Sequence, residues 1–247
     1  MTKTAEKKAI IAGASSGIGL AVARMMLAHG WTLGVAARRR EPLDRLAAEY
    51  SGRVFVSVID VTASDAAVRL LDLISKMGGT DLYVHVAGVG WQNMPLDAEK
   101  ESATVLTNGC GFVRMVDAAF NYFCSRGSGH IAAITSIAGT KGLGAAPAYS
   151  ATKAMQNVYL QALEQQACML HKKIFITDIR PGFVNTNLLN DGHTYPMLMS
   201  VEKVAAAAVK AIEHRRHVAV IDRRYRVLTA LWRRLPRFLW RRMSIHT

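Results

Sequence analysis

The sequence predicts a doubly wound α/β fold, a parallel sheet covered by helices on both faces. Three observations carry that prediction. Short apolar runs alternate regularly with longer helical patterns. The runs are apolar throughout rather than at every second residue, as in strands buried on both sides. A glycine cluster, Gly13-Ala14-Ser15-Ser16-Gly17-Ile18-Gly19, falls between the first run and the first helical pattern.

The elements follow in order. Lys8 to Ala12 reads as the first strand, and Ile18 to His29 as the first helix. Trp31 to Ala37 is the second strand. Arg39 to Tyr50 is a helix, with Pro42 near its first turn, where a missing amide hydrogen costs nothing. Val54 to Ile59 is the third strand, ending at Asp60. Asp65 to Met77 is helical. Leu82 to Val86 is the fourth strand, ending in Ala87-Gly88. One long helix is expected from Glu99 to Cys124. His130 to Thr135 is the fifth strand, and the helix bearing Tyr149 and Lys153 runs to about Leu170. Ile174 to Ile179 is the sixth strand, stopped by Pro181-Gly182. Val201 to His214 is a helix and His217 to Ile221 the last strand. Strands joined through helices in this way require right-handed crossovers, which leaves doubly wound arrangements.

The chain has 247 residues, 51% of them hydrophobic and 20% charged, enough for one well-buried domain. No apolar run approaches the roughly 18 to 20 residues of a membrane span, and residues 1–11 lack the apolar core of a signal peptide. A reduced, cytoplasmic setting is expected. Cys110, Cys124 and Cys168 are odd in number and widely spaced, which fits neither a disulfide framework nor a zinc site, and no metal is expected. The net charge of +13 is unevenly placed. Residues 223–247 hold eight arginines and no acid, leaving only +5 for the preceding 222 residues. The expectation is an ordinary domain, 1–222, with a basic appendage, 223–247. A nucleic-acid-binding face spread over the whole protein is not indicated.

Chemistry-bearing residues gather at the predicted carboxyl ends of the strands, where open α/β sheets place their ligands. In the glycine loop, Gly13 permits a sharp turn, and Gly17 and Gly19 permit close approach of backbone to a pyrophosphate. Ser15 and Ser16 add hydroxyls, and the helix start adds unpaired amides. At the end of the second strand, an acid would favour the ribose hydroxyls of NAD. The sequence there is Ala37-Arg38-Arg39-Arg40, which suits the additional phosphate of NADP; the alternative is a solvated basic turn. Ser136 closes the fifth strand. Tyr149 and Lys153 are four apart, one turn from each other on a helix. A neighbouring ammonium is expected to lower the Tyr149 pKa.

These residues carry a resemblance. Gly13-Ala-Ser-Ser-Gly17-Ile-Gly19, Asp60-Val61, Ala87-Gly88, Asn108, Ser136, Tyr149-Ser-Ala-Thr-Lys153 and Pro181-Gly182 occur in the order and approximate spacing of the short-chain dehydrogenase/reductase family. The resemblance spans residues 8 to about 222. It implies a Rossmann-like, seven-stranded parallel sheet, a nicotinamide cofactor and a homodimer or homotetramer. Carried over, Tyr149 is the general acid in reduction, Lys153 binds the nicotinamide ribose and tunes Tyr149, and Ser136 orients the substrate oxygen. Asn108 holds a water that links Lys153 to solvent. Asp60 and Val61 meet the adenine. Pro181, Gly182, Val184 and Thr186, with Ile18, Ala87 and Gly88, complete the cofactor set. One departure is His85-Val86 where the family has Asn-Asn. A packed, hydrogen-bonded core histidine is expected there, with a functional base as the alternative.

The function implied is interconversion of a carbonyl and an alcohol, with NADPH expected as cofactor. The alternatives are an NAD-dependent alcohol dehydrogenase and a non-catalytic dinucleotide-binding regulator. Phe183 to Ser200 should cover the substrate, with Leu188, Leu189, Tyr195, Pro196, Met197, Leu198 and Met199 suggesting a hydrophobic or lipid-like carbonyl compound. Trp91, Gln92, Met94 and the loop from Gly139 to Pro147 are candidate walls. In the appendage, Val227, Leu228, Leu231, Trp232 and Leu235 form one helical stripe flanked by arginines. Pro236 should kink or restart the helix. Two readings stay open for this amphipathic tail: contact with an anionic membrane surface, or packing on its own body or a partner subunit.

Overall fold

The computed structural model of the protein describes residues 7–186 and 195–243. Leu188 and Leu189 therefore lie outside the described residues. Seven strands form one sheet in the order β3-β2-β1-β4-β5-β6-β7, all parallel. They are β1 (Lys8–Ala12), β2 (Thr32–Ala37), β3 (Val54–Val58), β4 (Leu82–His85), β5 (Ser128–Ile134), β6 (Lys173–Arg180) and β7 (Val218–Val220). The chain winds outward from β1 to β3, then returns to place β4 on the other side of β1. At that reversal the carboxyl ends of β1 and β4 open a crevice.

Successive residues of a strand face opposite sides, and each side has its own helices. Ile11, Val35 and Val84 pack under α1 (Gly17–Ala28), α2 (Arg40–Glu49) and α7 (Val201–Glu213). Ile10, Tyr83 and Ile131 pack on the other side, under α3 (Ala66–Lys76), α5 (Phe112–Arg126) and α6 (Pro147–Met169). Both faces of the sheet are thus buried, which explains the uniformly apolar runs. α4 (Ala98–Val105) is started by the Asp97 carboxylate, which accepts from the amides of Glu99 and Lys100. Glu101 in turn accepts from the Ala148 amide at 3.0 Å, tying the start of α6 to α4.

The long helix expected from Glu99 to Cys124 is three segments. Between α4 and α5 lies a wider, π-helical turn, Leu106–Gly111, containing Asn108. The wide turn shifts the apolar spacing by one residue at a single place, which a periodicity read over the whole stretch does not detect. Such a turn disturbs the regular carbonyl pairing of a helix. Beyond β7 the tail forms α8 (Arg223–Arg234) and, after Pro236, the short α9 (Arg237–Trp240). Proline restarts the helix, as expected from its missing amide hydrogen and fixed φ.

His85 is a core residue. It is 1% exposed, shares a 2.8 Å hydrogen bond through Nδ1 with the Tyr83 hydroxyl, and meets Phe112 edge-on. Burial, then the Lys153 charge, push its pKa down to about 3. Its unfolded value is near 6.5, so below that pH the unfolded chain binds a proton that the fold refuses. Stability should therefore fall as pH drops from about 6.5 toward 3, by up to about 1.4 kcal/mol per pH unit for one such group. His130, buried and held at about 4, contributes in the same sense. His85→Asn should stay folded and show a shallower acid slope in urea unfolding followed between pH 6 and 4; an unchanged slope refutes the assignment.

Candidate active site

The crevice is assembled from two loops that touch. Gly13, after β1, has φ +95°, and a Cβ placed on it would lie 2.5 Å from the Ala87 amide nitrogen. Only glycine lets the loop turn there and sit against Ala87-Gly88. The Ser16 side chain makes no capping bond at the start of α1, and no acid occupies the first turn. The first amides of α1 therefore keep their hydrogens for a ligand, and the positive end of the helix faces the crevice. This donor set fits the phosphates of a dinucleotide. Arg38 and Arg39 lie on the same rim, with Arg39 Nη2 donating to Ser15 Oγ at 3.3 Å. Burial raises the Asp60 pKa, but hydrogen bonds from Thr62 and the Arg38 charge outweigh it and hold the carboxyl below its ordinary value.

One cavity of about 1660 Å³ runs through the crevice. Single small-molecule sites run to roughly 300–1000 Å³, so the space admits a dinucleotide and a substrate. At one end it is lined by Gly13, Ser15 to Gly19, Arg38, Arg39, Asp60 and Val61. Ala87, Gly88, Ser136, Tyr149 and Lys153 occupy the middle, and Pro181, Gly182, Val184 and Thr186 face them. Trp91, Gln92, Tyr195, Pro196 and Met197 also line it, whereas Met94, Leu198 and Met199 do not.

Local structure explains how the central residues converge. Ser136 lies two residues beyond β5 and caps the following turn, Ile137–Thr140, by accepting from the Ala138 amide at 3.0 Å. Pro147 sits in the first turn of α6, where its fixed φ suits the helix. The Tyr149 phenol lies near the Ser136 hydroxyl, which acts to lower its pKa. Lys153 is 5% exposed, and its Nζ donates to the Ile134 carbonyl at 3.2 Å and to Gln156 Oε1 at 3.0 Å. Burial lowers its pKa to about 8 against the opposing pull of Asp178.

One expectation needs correction. The Tyr149 pKa is raised, not lowered: burial of the phenol dominates, and the Ser136 hydroxyl only partly opposes it. Lys153 Nζ lies 5.8 Å from the Tyr149 ring centroid and spends its hydrogens on Ile134 and Gln156. One-turn spacing placed the ammonium near the ring without pairing it to the hydroxyl.

Asn108 does not line the cavity. Its side chain clamps Val89, donating to the carbonyl at 2.6 Å and accepting from the amide at 2.9 Å. Its backbone carbonyl accepts from Gln156 Nε2 at 2.8 Å. Gln156, 1% exposed, thus bridges Lys153 and Asn108. The sequence signal was available: Gln156 lies three residues beyond Lys153, on the same helical face.

The tail was also missed as a wall. Tyr225 is fully buried, its ring against Gly182, where a Cβ would come within 2.3 Å. Its hydroxyl donates to the Pro196 carbonyl at 2.9 Å and accepts from the Phe183 amide at 3.2 Å. Trp232 Nε1 donates to Thr140 Oγ1 at 2.7 Å, Trp240 Nε1 to the Gly142 carbonyl at 2.8 Å, and Lys141 Nζ to the Leu235 carbonyl at 2.9 Å. Leu228, Leu231, Trp232, Leu235, Trp240 and Met243 line the same cavity as Tyr149. The tail packs on its own body, one of the two readings its sequence left open.

Comparison with known proteins agrees with this geometry. The family model described as short chain dehydrogenase matches residues 7–194. An uncharacterized oxidoreductase of Mycobacterium tuberculosis is 30% identical over 223 residues, covering 86% of this chain and 87% of that protein. An uncharacterized oxidoreductase of Myxococcus xanthus is 31% identical over 219 residues, covering 86% of each. Among solved structures, a short-chain dehydrogenase from Streptomyces avermitilis superposes with a TM-score of 0.80 at 25% identity, over 92% of this chain and 93% of that one. A short chain dehydrogenase from Burkholderia cenocepacia in complex with NADP shares the fold at a TM-score of 0.83 and 19% identity, over 98% of both chains. A 3-ketoacyl-(acyl-carrier-protein) reductase from Brucella melitensis complexed with NADH does so at 0.76 and 24%, over 87% of this chain and 95% of that one. With a sheet, a glycine crevice and a Ser–Tyr–Lys cluster of this kind, the chain belongs to the short-chain dehydrogenase family of oxidoreductases.

Proposed function

We propose that the protein is an NADPH-dependent oxidoreductase that interconverts an apolar, lipid-like carbonyl compound and its alcohol. The observation that carries this reading is the meeting of Ser136, Tyr149 and Lys153 in the cavity that also holds the glycine loop. A bound nicotinamide cofactor supplies hydride. Ser136 donates to the substrate oxygen and orients it. Tyr149 gives its proton to that oxygen in reduction and takes it back in oxidation. A phenol whose pKa is raised by burial is firmly protonated in the free protein, the form that reduction needs. Lys153 presents the positive charge that binds a ribose hydroxyl and stabilises phenolate once the proton has left.

Arg38 and Arg39 beside Ser15 support NADPH over NADH: guanidinium groups on the rim suit the additional phosphate. The apolar tail residues in the cavity support a hydrophobic substrate. A homodimer or homotetramer is supported by Val105, Leu106, Met155 and Val158, exposed apolar residues on α4, the π-helical turn that follows it, and α6. Peripheral contact with an anionic membrane through residues 223–247 belongs to the same reading. No helix among the described residues is long and apolar enough to cross a membrane.

Three outcomes test the assignment. Tyr149→Phe should lower turnover of hydrophobic ketones by at least about a hundredfold, the usual contribution of a positioned acid, while calorimetric NADPH affinity stays near wild type. Retained turnover rejects Tyr149 as the acid. Arg38→Ala should weaken NADPH about tenfold, equivalent to about 1.4 kcal/mol, and leave NADH affinity unchanged. Equal losses for both cofactors reject the phosphate contact.

Gln156 provides a third test through Lys153. A carboxylate at that position favours the ammonium and raises its pKa, so Gln156→Glu should move the alkaline fall-off of NADPH affinity to higher pH. Gln156→Met removes an acceptor and should move it lower. A fall-off that neither variant moves rejects the bridge as a determinant of Lys153 charge.

A further inference from the structure

The tail has two faces, and its inner one is accounted for. Tyr225 and Trp232 hold it to the body through hydrogen bonds to Pro196 and Thr140, and Thr229 is buried on the same side. The outer face is apolar where an ordinary surface helix is polar. Val227 is 60% exposed, Leu231 61% and Phe238 55%, with Leu239 and Met243 also exposed. All eight arginines of the tail are exposed: Arg223, Arg224, Arg226, Arg233, Arg234, Arg237, Arg241 and Arg242. Among the described residues, Arg224 is the one tail arginine in an ion pair, with Asp222. Among the described residues no carboxylate lies within ion-pair distance of the other seven, and the tail sequence contains no Asp or Glu.

Leu231 and Met243 are both exposed and part of the cavity lining, and so is Trp91 from the loop after β4. They mark the mouth. The mouth of the substrate cavity therefore lies within the apolar, arginine-flanked surface. Exposed leucine and phenylalanine beside unpaired arginines are what a bilayer interface accommodates: the apolar groups enter the acyl boundary while the guanidinium groups meet lipid phosphates. A soluble anion would satisfy the arginines and leave the apolar residues in water. A polynucleotide would do the same.

We propose that α8 and α9 dock the protein on an anionic phospholipid bilayer with the cavity mouth facing the lipid, so that the substrate is a membrane-borne carbonyl lipid entering between the tail and Trp91. The substrate half rests on the proposed carbonyl chemistry; the docking half does not. In this arrangement the hydrocarbon chain passes from bilayer to cavity along Leu231, Trp232, Leu235 and Met243, and the carbonyl reaches Tyr149. The chain never crosses water, and the docked tail forms both the anchor and the wall of the route.

The test uses the full chain, vesicles and two sets of substitutions that avoid the cavity lining. Wild type should co-sediment with phosphatidylglycerol-containing vesicles and far less with pure phosphatidylcholine. Arg237→Gln with Arg241→Gln should weaken vesicle binding by about fivefold per arginine. Phe238→Ser with Leu239→Ser should weaken it at least tenfold, with turnover of a water-soluble ketone unchanged and turnover of a vesicle-embedded long-chain ketone reduced. Equal binding to both vesicle types, or binding insensitive to the Phe238 and Leu239 pair, overturns the docking. A change in oligomeric mass in that pair, with vesicle binding intact, also overturns it and assigns the face to another copy of the chain. Vesicle binding without turnover of any ketone overturns the carbonyl chemistry and leaves the docking standing.

Discussion

A buried ammonium constrains the centre of this structure. Lys153 lies almost out of contact with solvent, and removing a cation from water is expensive unless its hydrogens are accepted and its charge is balanced. The Ile134 carbonyl, at the end of β5, accepts one hydrogen, and Gln156, from the same helix, accepts another. Asp178 supplies compensating charge from β6 and is itself fixed by Arg180, with Nε at 2.7 Å, and by the Thr135 hydroxyl. The turn after Ser136 must also come close: a Cβ on Gly139 would lie 2.6 Å from the Lys153 carbonyl group. Two strands, a turn and a helix thus meet around a single charge, and Ser136 and Tyr149 take their places from that meeting.

The same constraint explains the π-helical turn. A carbonyl released from regular helix pairing needs a donor, and in a buried position it must find one in the protein. Gln156 donates to the Asn108 carbonyl while accepting from Lys153, so one amide serves both the π-helical turn and a cation. Asn108 can then turn its side chain toward Val89 and hold the chain beyond Gly88. Its place is behind the cavity wall rather than in it.

What the sequence revealed depended on how local each determinant was. The strands were legible because burial on both faces writes an uninterrupted apolar run. The crevice was legible because Gly13, Gly17 and Gly19 are required by backbone geometry within a few residues. Tyr149 and Lys153 were legible as one helical face, but not their relation, because one-turn spacing does not say which atoms meet. The Lys153–Gln156 half of the bridge is local, but its Gln156–Asn108 half joins residues 48 apart, and the Trp232–Thr140 contact residues 92 apart. No local pattern encodes such a pair. The tail stripe looked the same whether its partner was lipid, another subunit or its own body; the Tyr225 ring over Gly182 shows which of its contacts the fold itself provides.

The attachment of α8 and α9 has a consequence for how this scaffold can change. The cofactor end of the cavity is built from loops rooted in the sheet, where a substitution disturbs the common core. The other end is a wall fastened mainly to the surface loop Thr140–Gly142 and to the backbone around Phe183 and Pro196. Residues facing the cavity from that wall, such as Leu231 and Met243, can be exchanged for others of different size without repacking a strand. On the proposed function, chemistry and molecular selectivity are carried by separate stretches of the chain, and the second can drift while the first stays fixed.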